Sequence, residues 1–197
     1  MKTKYIIIAF IVTVIAQAFV PAKMVYDSEM TERHGTPFKF RTEPVDPSDP
    51  FRGKYITLNY NDDVFFTKDS TWKRDEKVYI ILKNDKEGFA EIANALHAAP
   101  KTGSNYIATT VEYYDGERLH ISLPFDRFYM EESKAYEAET GYRDYNNSNE
   151  NVKPAYGLVA VLDGSAVLKD VIIDNIPIKN YVLRKRETDA AGLNSDH

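Results

Sequence analysis

A chain of 197 residues with 43% hydrophobic and 28% charged side chains has the composition of a single folded domain, which excludes wholesale disorder. The formal charge is −5, and once Lys2, Lys4 and Lys23 are set aside 22 basic residues face 30 acidic ones, so the clustered Lys and Arg that a nucleic-acid surface needs are missing. Cysteine is absent, which removes disulfides, thiolate nucleophiles and Cys-based zinc sites.

Residues 2 to 22 read KTKYIIIAFIVTVIAQAFVPA, with an apolar run from Tyr5 to Ala22 broken only by Thr13, Gln17 and Pro21, and no polar face at helical period from Tyr5 to Ile15. At 1.5 Å per residue its ~18 positions nearly cross a hydrocarbon core of ~30 Å, so a retained anchor spanning residues 5–22 is expected. Lys2 and Lys4 ahead of the run and acidic residues after it are expected to put the N-terminus in the cytoplasm and the rest outside, in the inner or cytoplasmic membrane. Ala16-Gln17-Ala18 also fits signal peptidase, and cleavage after Ala18 would instead give a secreted or periplasmic protein.

Met24 to Arg33 can continue this helix, with Gly35 as its stop. Phe38 and Phe40 then alternate with Lys39 and Arg41, the pattern of a strand with one buried face. Three prolines between Pro44 and Pro50 break regular structure. FRGKYITLNY follows as one strand, Ile56, Leu58 and Tyr60 pointing one way and Tyr55, Thr57 and Asn59 the other, so that both faces are expected to be covered. VYIIL at Val78 to Leu82 reads as an interior strand, whereas Phe89 to His97 fits a helix or a strand.

Ala108 to Leu123 reads as a hairpin in which Thr109, Val111 and Tyr113 share a face with Leu119, Ile121 and Leu123 across a three-residue loop, Tyr114-Asp115-Gly116. Asp163-Gly164 joins a second pair of apolar strands. Between the hairpins Ser133 is placed to cap a helix, and the segment from Glu187 has almost nothing to bury. The expected organisation is an anchor over 1–23, an extracytoplasmic domain over 24–186 and a disordered tail over 187–197. The expected fold is mainly β: a sandwich or open barrel of antiparallel hairpins, six to nine strands, with one or two peripheral helices.

One stretch carries a resemblance. PVDPSDPFRGKYITLNY resembles the signature of the bacterial GDYXXLXY domain family: Gly53, Tyr55, Leu58 and Tyr60 stand at the named positions, after a lead-in through Asp46, Asp49 and Arg52. Lys54 departs from the family's Asp, so a function that needed that carboxylate is lost or the carboxylate is dispensable. Downstream, Arg127, Phe128, Tyr129 and Glu132 are similar to an Arg-Phe-Tyr-x-x-Glu string of the same family. The resemblance implies a membrane-anchored protein encoded beside multipass membrane proteins, and implies no particular activity.

The chemistry of these residues favours structure. Gly53 suits a turn, and Asp46 and Asp49 beside prolines suit turn formation better than a cation site. Glu131 and Glu132, being adjacent, face opposite ways on a strand and do not converge on one atom. His34, His97, His120 and His197 show no metal-ligand spacing, and no nucleophile elbow, phosphate loop or dinucleotide motif occurs. No catalytic, cofactor or metal residue is therefore assigned. The expected work is non-enzymatic, a binding or accessory role with an envelope protein such as a multipass membrane protein, with Phe125, Arg127 and Tyr129 as the candidate surface. The alternative is an extracytoplasmic hydrolase or sugar-binding enzyme that uses carboxylates.

Overall fold

The computed structural model describes residues 2–43, 55–60, 63–101, 105–129, 155–181 and 183–184. A single uninterrupted helix, α1 (Lys2–His34), comes first, with only Pro21 inside it. Its long apolar side chains from Tyr5 to Tyr26 are between 45% and 68% exposed, so no described residue of the domain packs on this part. Farther along, i,i+4 ion pairs join Lys23 to Asp27 and Glu29 to Arg33, and Arg33 and His34 offset the negative end of the helix dipole. The helix ends against the domain. Thr31 is 2% exposed, and the Gly35 N–H donates to the Thr31 carbonyl at 2.9 Å. A Cβ at Gly35 would stand 2.5 Å from that carbonyl oxygen, so the exit requires glycine.

Twelve strands follow among the described residues: β1 (Thr36–Glu43), β2 (Tyr55–Thr57), β3 (Asn59–Tyr60), β4 (Val64–Phe66), β5 (Lys77–Asn84), β6 (Ala90–Leu96), β7 (Tyr106–Tyr114), β8 (Arg118–Ser122), β9 (Arg127–Tyr129), β10 (Tyr156–Leu162), β11 (Ser165–Ile173) and β12 (Ile176–Pro177). That exceeds the expected six to nine because five pieces of two or three residues are too short to show a hydrophobic period: β2, β3, β4, β9 and β12. One antiparallel sheet has the order β12-β11-β10-β1-β3 and another β4-β8-β7-β5-β6, with β2 and β9 forming a separate ribbon. The mainly β sandwich or open barrel is thus the observed class. Phe38, Phe40, Val159 and Val171 from the first sheet and Ile80, Ile107, Val111 and Leu119 from the second share one hydrophobic core.

Two links tie the sheets together at their margins. The Ala108 N–H donates to the Gly164 carbonyl at 2.8 Å, where the β10–β11 turn meets β7. Arg41 on β1 reaches Asp85 at 2.6 Å and Glu87 at 2.8 Å in the β5–β6 loop, with its guanidinium 4.1 Å above the Phe89 ring. The Asp85 carboxyl is held below its ordinary value, first by the Phe89 N–H and then by Arg41.

Turn chemistry explains most of the hairpins. Asp163 and Gly164 both have positive φ, 47° and 88°, the geometry of a two-residue turn that matches strand twist. Asp174 and Asn175 repeat it between β11 and β12, at 50° and 61°. The β7–β8 loop has three residues, but they are Asp115-Gly116-Glu117, one place later than the sequence suggests. Asp115 accepts from the Arg118 and Glu117 N–H groups at 2.8 and 3.1 Å, which lowers its carboxyl to about 2. A bulge between Val111 and Tyr113 inserts Glu112 and reverses the alternation, so Thr109 and Val111 face the core as expected while Tyr113 turns out, 48% exposed, and Tyr114 turns in. Phe89 to His97, open to two readings, resolves as the edge strand β6. The expected helix after Ser133 and the tail from Glu187 lie outside the described residues.

Candidate functional site

The two segments that carry the family resemblance lie about 70 positions apart in sequence and meet directly in the fold. β2 pairs antiparallel with β9, with Tyr55 opposite Tyr129, Ile56 opposite Phe128 and Thr57 opposite Arg127. The ladder continues one step, because the Leu58 N–H donates to the Asp126 carbonyl at 2.8 Å. The chain then crosses from ribbon to sheet at Leu58, which is 1% exposed, and β3 pairs with β1 through Tyr60 and Thr42. FRGKYITLNY is therefore two short strands in different partnerships. Leu58 and Tyr60 are buried and Asn59 is exposed, so this end of the segment is covered on one face where two were expected.

Tyr60 closes the arrangement. Its hydroxyl donates to the Phe125 carbonyl at 3.0 Å, and its ring stands edge-on to Phe125 at 5.2 Å and to Phe40 at 5.9 Å. Gly157 on β10 leaves the room: a Cβ there would sit 3.0 Å from the Tyr60 hydroxyl oxygen and 3.1 Å from Leu168 Cδ1. The signature thus knots ribbon, β3 and core around one buried tyrosine.

Of the residues singled out in the sequence, Leu58, Tyr60, Phe125 and Phe128 are core side chains, at 1%, 6%, 4% and 6% exposure. Phe125 cannot serve as part of a docking surface, since its ring is packed 4.9 Å from Phe40. Arg127 and Tyr129 do lie on the outside, because β9 alternates and carries only Phe128 inward. Lys179 adds a cation 5.9 Å from the Phe128 ring. Tyr55 belongs to β2, while Asp46, Asp49, Arg52, Gly53 and Glu132 lie outside the described residues.

Beside this knot opens a cleft of about 540 Å³, bordered by Leu58, Asn59 and Tyr60 of the signature and by the carboxylates Asp63, Glu112 and Asp126. Glu112 is exposed at the bulge of β7 and borders it there. Among the described residues no three His, Asp or Glu side chains are grouped to share a metal ion.

A second polar constellation was invisible in the sequence. His97, one residue past β6, stacks on Trp72 with ring centroids 3.6 Å apart and planes 13° from parallel. Its Nδ1 lies 2.9 Å from Glu76 Oε1, and its Nε2 lies 3.1 Å from Asp69 Oδ2 and 3.3 Å from Thr71 Oγ1. Thr71, His97 and Glu76 in that order mimic a hydroxyl–imidazole–carboxylate relay. The hydrogen bonds argue otherwise. The Thr71 hydroxyl donates to Asp69 at 2.6 Å, and both ring nitrogens of His97 meet carboxylates, so the imidazole is favoured as a cation with no free site to accept the Thr71 proton. Accordingly His97 titrates above its ordinary value, raised first by Glu76 and then by Asp69, and Asp69 falls to about 2, chiefly through Thr71. The cluster pins the loop before β5 to the end of β6. Positions 69, 71 and 76 lie in the loop before β5 and position 97 just past β6, more than 20 residues on, so no local spacing announces it.

The family model for the GDYXXLXY protein matches residues 17–171, from within α1 to near the end of strand β11, and includes both paired segments. No curated protein and no solved structure matches the chain. The chain belongs to the GDYXXLXY family.

Proposed function

With that membership as the premise, we propose that the protein is a membrane-anchored, extracytoplasmic β domain with a non-enzymatic role, binding or supporting an envelope partner, a multipass membrane protein by preference. The observation that carries this reading is α1: an apolar window of mean hydropathy 2.3 that is 0% buried, joined without a break to the domain. A helix apolar on every side and covered by nothing calls for lipid as its surroundings. Lys2 and Lys4 orient it with the N-terminus in the cytoplasm and the domain outside. The described signature residues Leu58, Tyr60 and Phe128 serve packing, and Arg127 and Tyr129 lie on the outside of β9 as the face offered to a partner. Tethering supports such a role, because confinement to the bilayer raises effective concentration and allows a modest interface to suffice.

Fractionation of the full chain with a C-terminal tag, followed by N-terminal sequencing, tests the anchor. The expected product stays with the membranes and retains residues 5–22. A soluble product beginning at Phe19 overturns the reading in favour of cleavage after Ala18. The rival enzyme reading has one feature to recommend it, the carboxylates Asp63, Glu112 and Asp126 around the cleft. It requires that paired Asn and Gln replacements among them abolish a hydrolytic activity while leaving stability intact.

A further inference from the structure

The apolar exposure of α1 does not stop at Ala22. Met24, Val25 and Tyr26 are 68%, 65% and 64% exposed, three large apolar side chains in a row beyond the uncharged run. In water such a cluster is unfavourable, and no described residue of the domain covers it. The only charge among these positions, Lys23, does not point back toward the run: its ammonium bonds Asp27, one turn farther toward the domain. That is the direction in which a lysine at a bilayer surface extends, its methylenes along apolar material and its charge toward water.

Length agrees. From Tyr5 to Tyr26 is 21 helical steps, roughly 32 Å at 1.5 Å each, against a hydrocarbon core of ~30 Å. A tyrosine at either end matches the aromatic belts that mark the two interfaces of a span. Thr31, the first residue of α1 buried in the domain, is five steps past Tyr26, roughly 8 Å, and the polar layer on each side of a bilayer is about that thick. Neither glycine nor proline occurs between Pro21 and Gly35, so the helix has no built-in hinge there.

We propose that Met24, Val25 and Tyr26 form a collar seated in the headgroup layer of the outer bilayer surface, with Tyr5 and Tyr26 as the two ends of the span, so that α1 is a stiff post holding the β domain directly on the membrane. The partner of this collar is lipid. The inference rests on the anchor reading and sharpens it: the wet boundary lies past Tyr26, not at Lys23, and the domain has one height above the bilayer.

The absence of cysteine makes the test direct. Single substitutions Val20→Cys, Met24→Cys, Val25→Cys and Lys86→Cys are made in the full chain, reconstituted into phosphatidylcholine–phosphatidylglycerol vesicles, and labelled with a membrane-impermeant maleimide. Lys86 lies in the exposed β5–β6 loop and reports a fully wet thiol. Partial desolvation that raises a thiol pKa by about one unit leaves about tenfold less thiolate. The collar thiols at 24 and 25 are therefore expected to react about tenfold slower than position 86, and position 20 not at all. Positions 24 and 25 reacting as fast as position 86 while position 20 stays protected would overturn the collar and leave the anchor standing. Position 20 reacting as fast as position 86, with the chain failing to float with the vesicles, would remove the anchor and the collar together.

Discussion

Replacing Tyr60 separates a structural signature from a functional one. Tyr60 is 6% exposed, donates one hydrogen bond of 3.0 Å to the Phe125 carbonyl, and has ring contacts with Phe40 and Phe125. Tyr60→Phe keeps the ring and removes the hydroxyl, at a cost of roughly 1–2 kcal/mol for a buried hydrogen bond and its stranded acceptor. Tyr60→Ala also removes the ring and leaves a cavity between β3 and β10, which raises the cost to about 3–5 kcal/mol. With a urea m-value of ~2 kcal/mol per molar, the midpoint should fall by roughly 0.5–1 M for Phe and about 2 M for Ala. Urea unfolding of the full chain in detergent, followed by near-ultraviolet circular dichroism, reads both shifts. If Tyr60→Ala unfolds at the wild-type midpoint yet loses its cellular phenotype, the tyrosine belongs to a working surface and the knot described here is wrong.

Other substitutions probe the same frame. Gly157→Ala pushes a Cβ to 3.0 Å from the Tyr60 hydroxyl oxygen and should cost about 1–3 kcal/mol, less in a Tyr60→Ala background, as a double-mutant cycle would reveal. Gly164→Ala should be more damaging than Gly88→Ala in thermal melts: both have positive φ, but the new Cβ meets Tyr106 Cε2 at 2.8 Å in the first and open space in the second. For the His97 cluster the sign follows from the direction of each shift. His97 is raised, so its contribution is full below 6.5 and is lost as pH rises through the higher folded value; Asp69 and Glu76 are lowered, so theirs is full above 4.5 and is lost as pH falls, for Asp69 through about 2. The cluster should hold best between those limits, and NMR titration should show the His97 midpoint above 6.5, returning toward it in Glu76→Gln. A midpoint that Glu76→Gln leaves unmoved would dissolve the clamp.

How much of this was legible in the sequence depends on the reach of the interaction. Asp163-Gly164 announces its hairpin because the turn needs two residues that tolerate positive φ, and the strands beside it supply the apolar runs. Phe38 and Phe40 announce a half-buried strand for the same local reason. The phase error at Tyr113 arose because a bulge is a property of two strands together, so nothing around Glu112 marks it. The pairing of Tyr55 with Tyr129 and the Tyr60 hydrogen bond to Phe125 join positions far apart in sequence. In sequence Phe125 reads as surface because aromatic residues suit an interface as readily as a core, and only the neighbouring sheet, which brings Phe40 to it, decides between them. The His97 cluster draws on the loop before β5, the first residue before that strand and the end of β6, and so has no motif at all.

The proposal that this domain works by docking an envelope partner is tested most directly by photo-crosslinking in intact cells. A photoreactive residue is placed at Arg127 or Tyr129 on the outer side of β9, with Lys86 in the exposed β5–β6 loop as the control. The account predicts a discrete crosslink to a multipass membrane protein from positions 127 and 129, and none of that size from position 86. Crosslinks from β9 no stronger than those from Lys86, together with loss of phenotype when Asp63 and Glu112 are changed to Asn and Gln at unchanged stability, would contradict it and favour chemistry in the cleft.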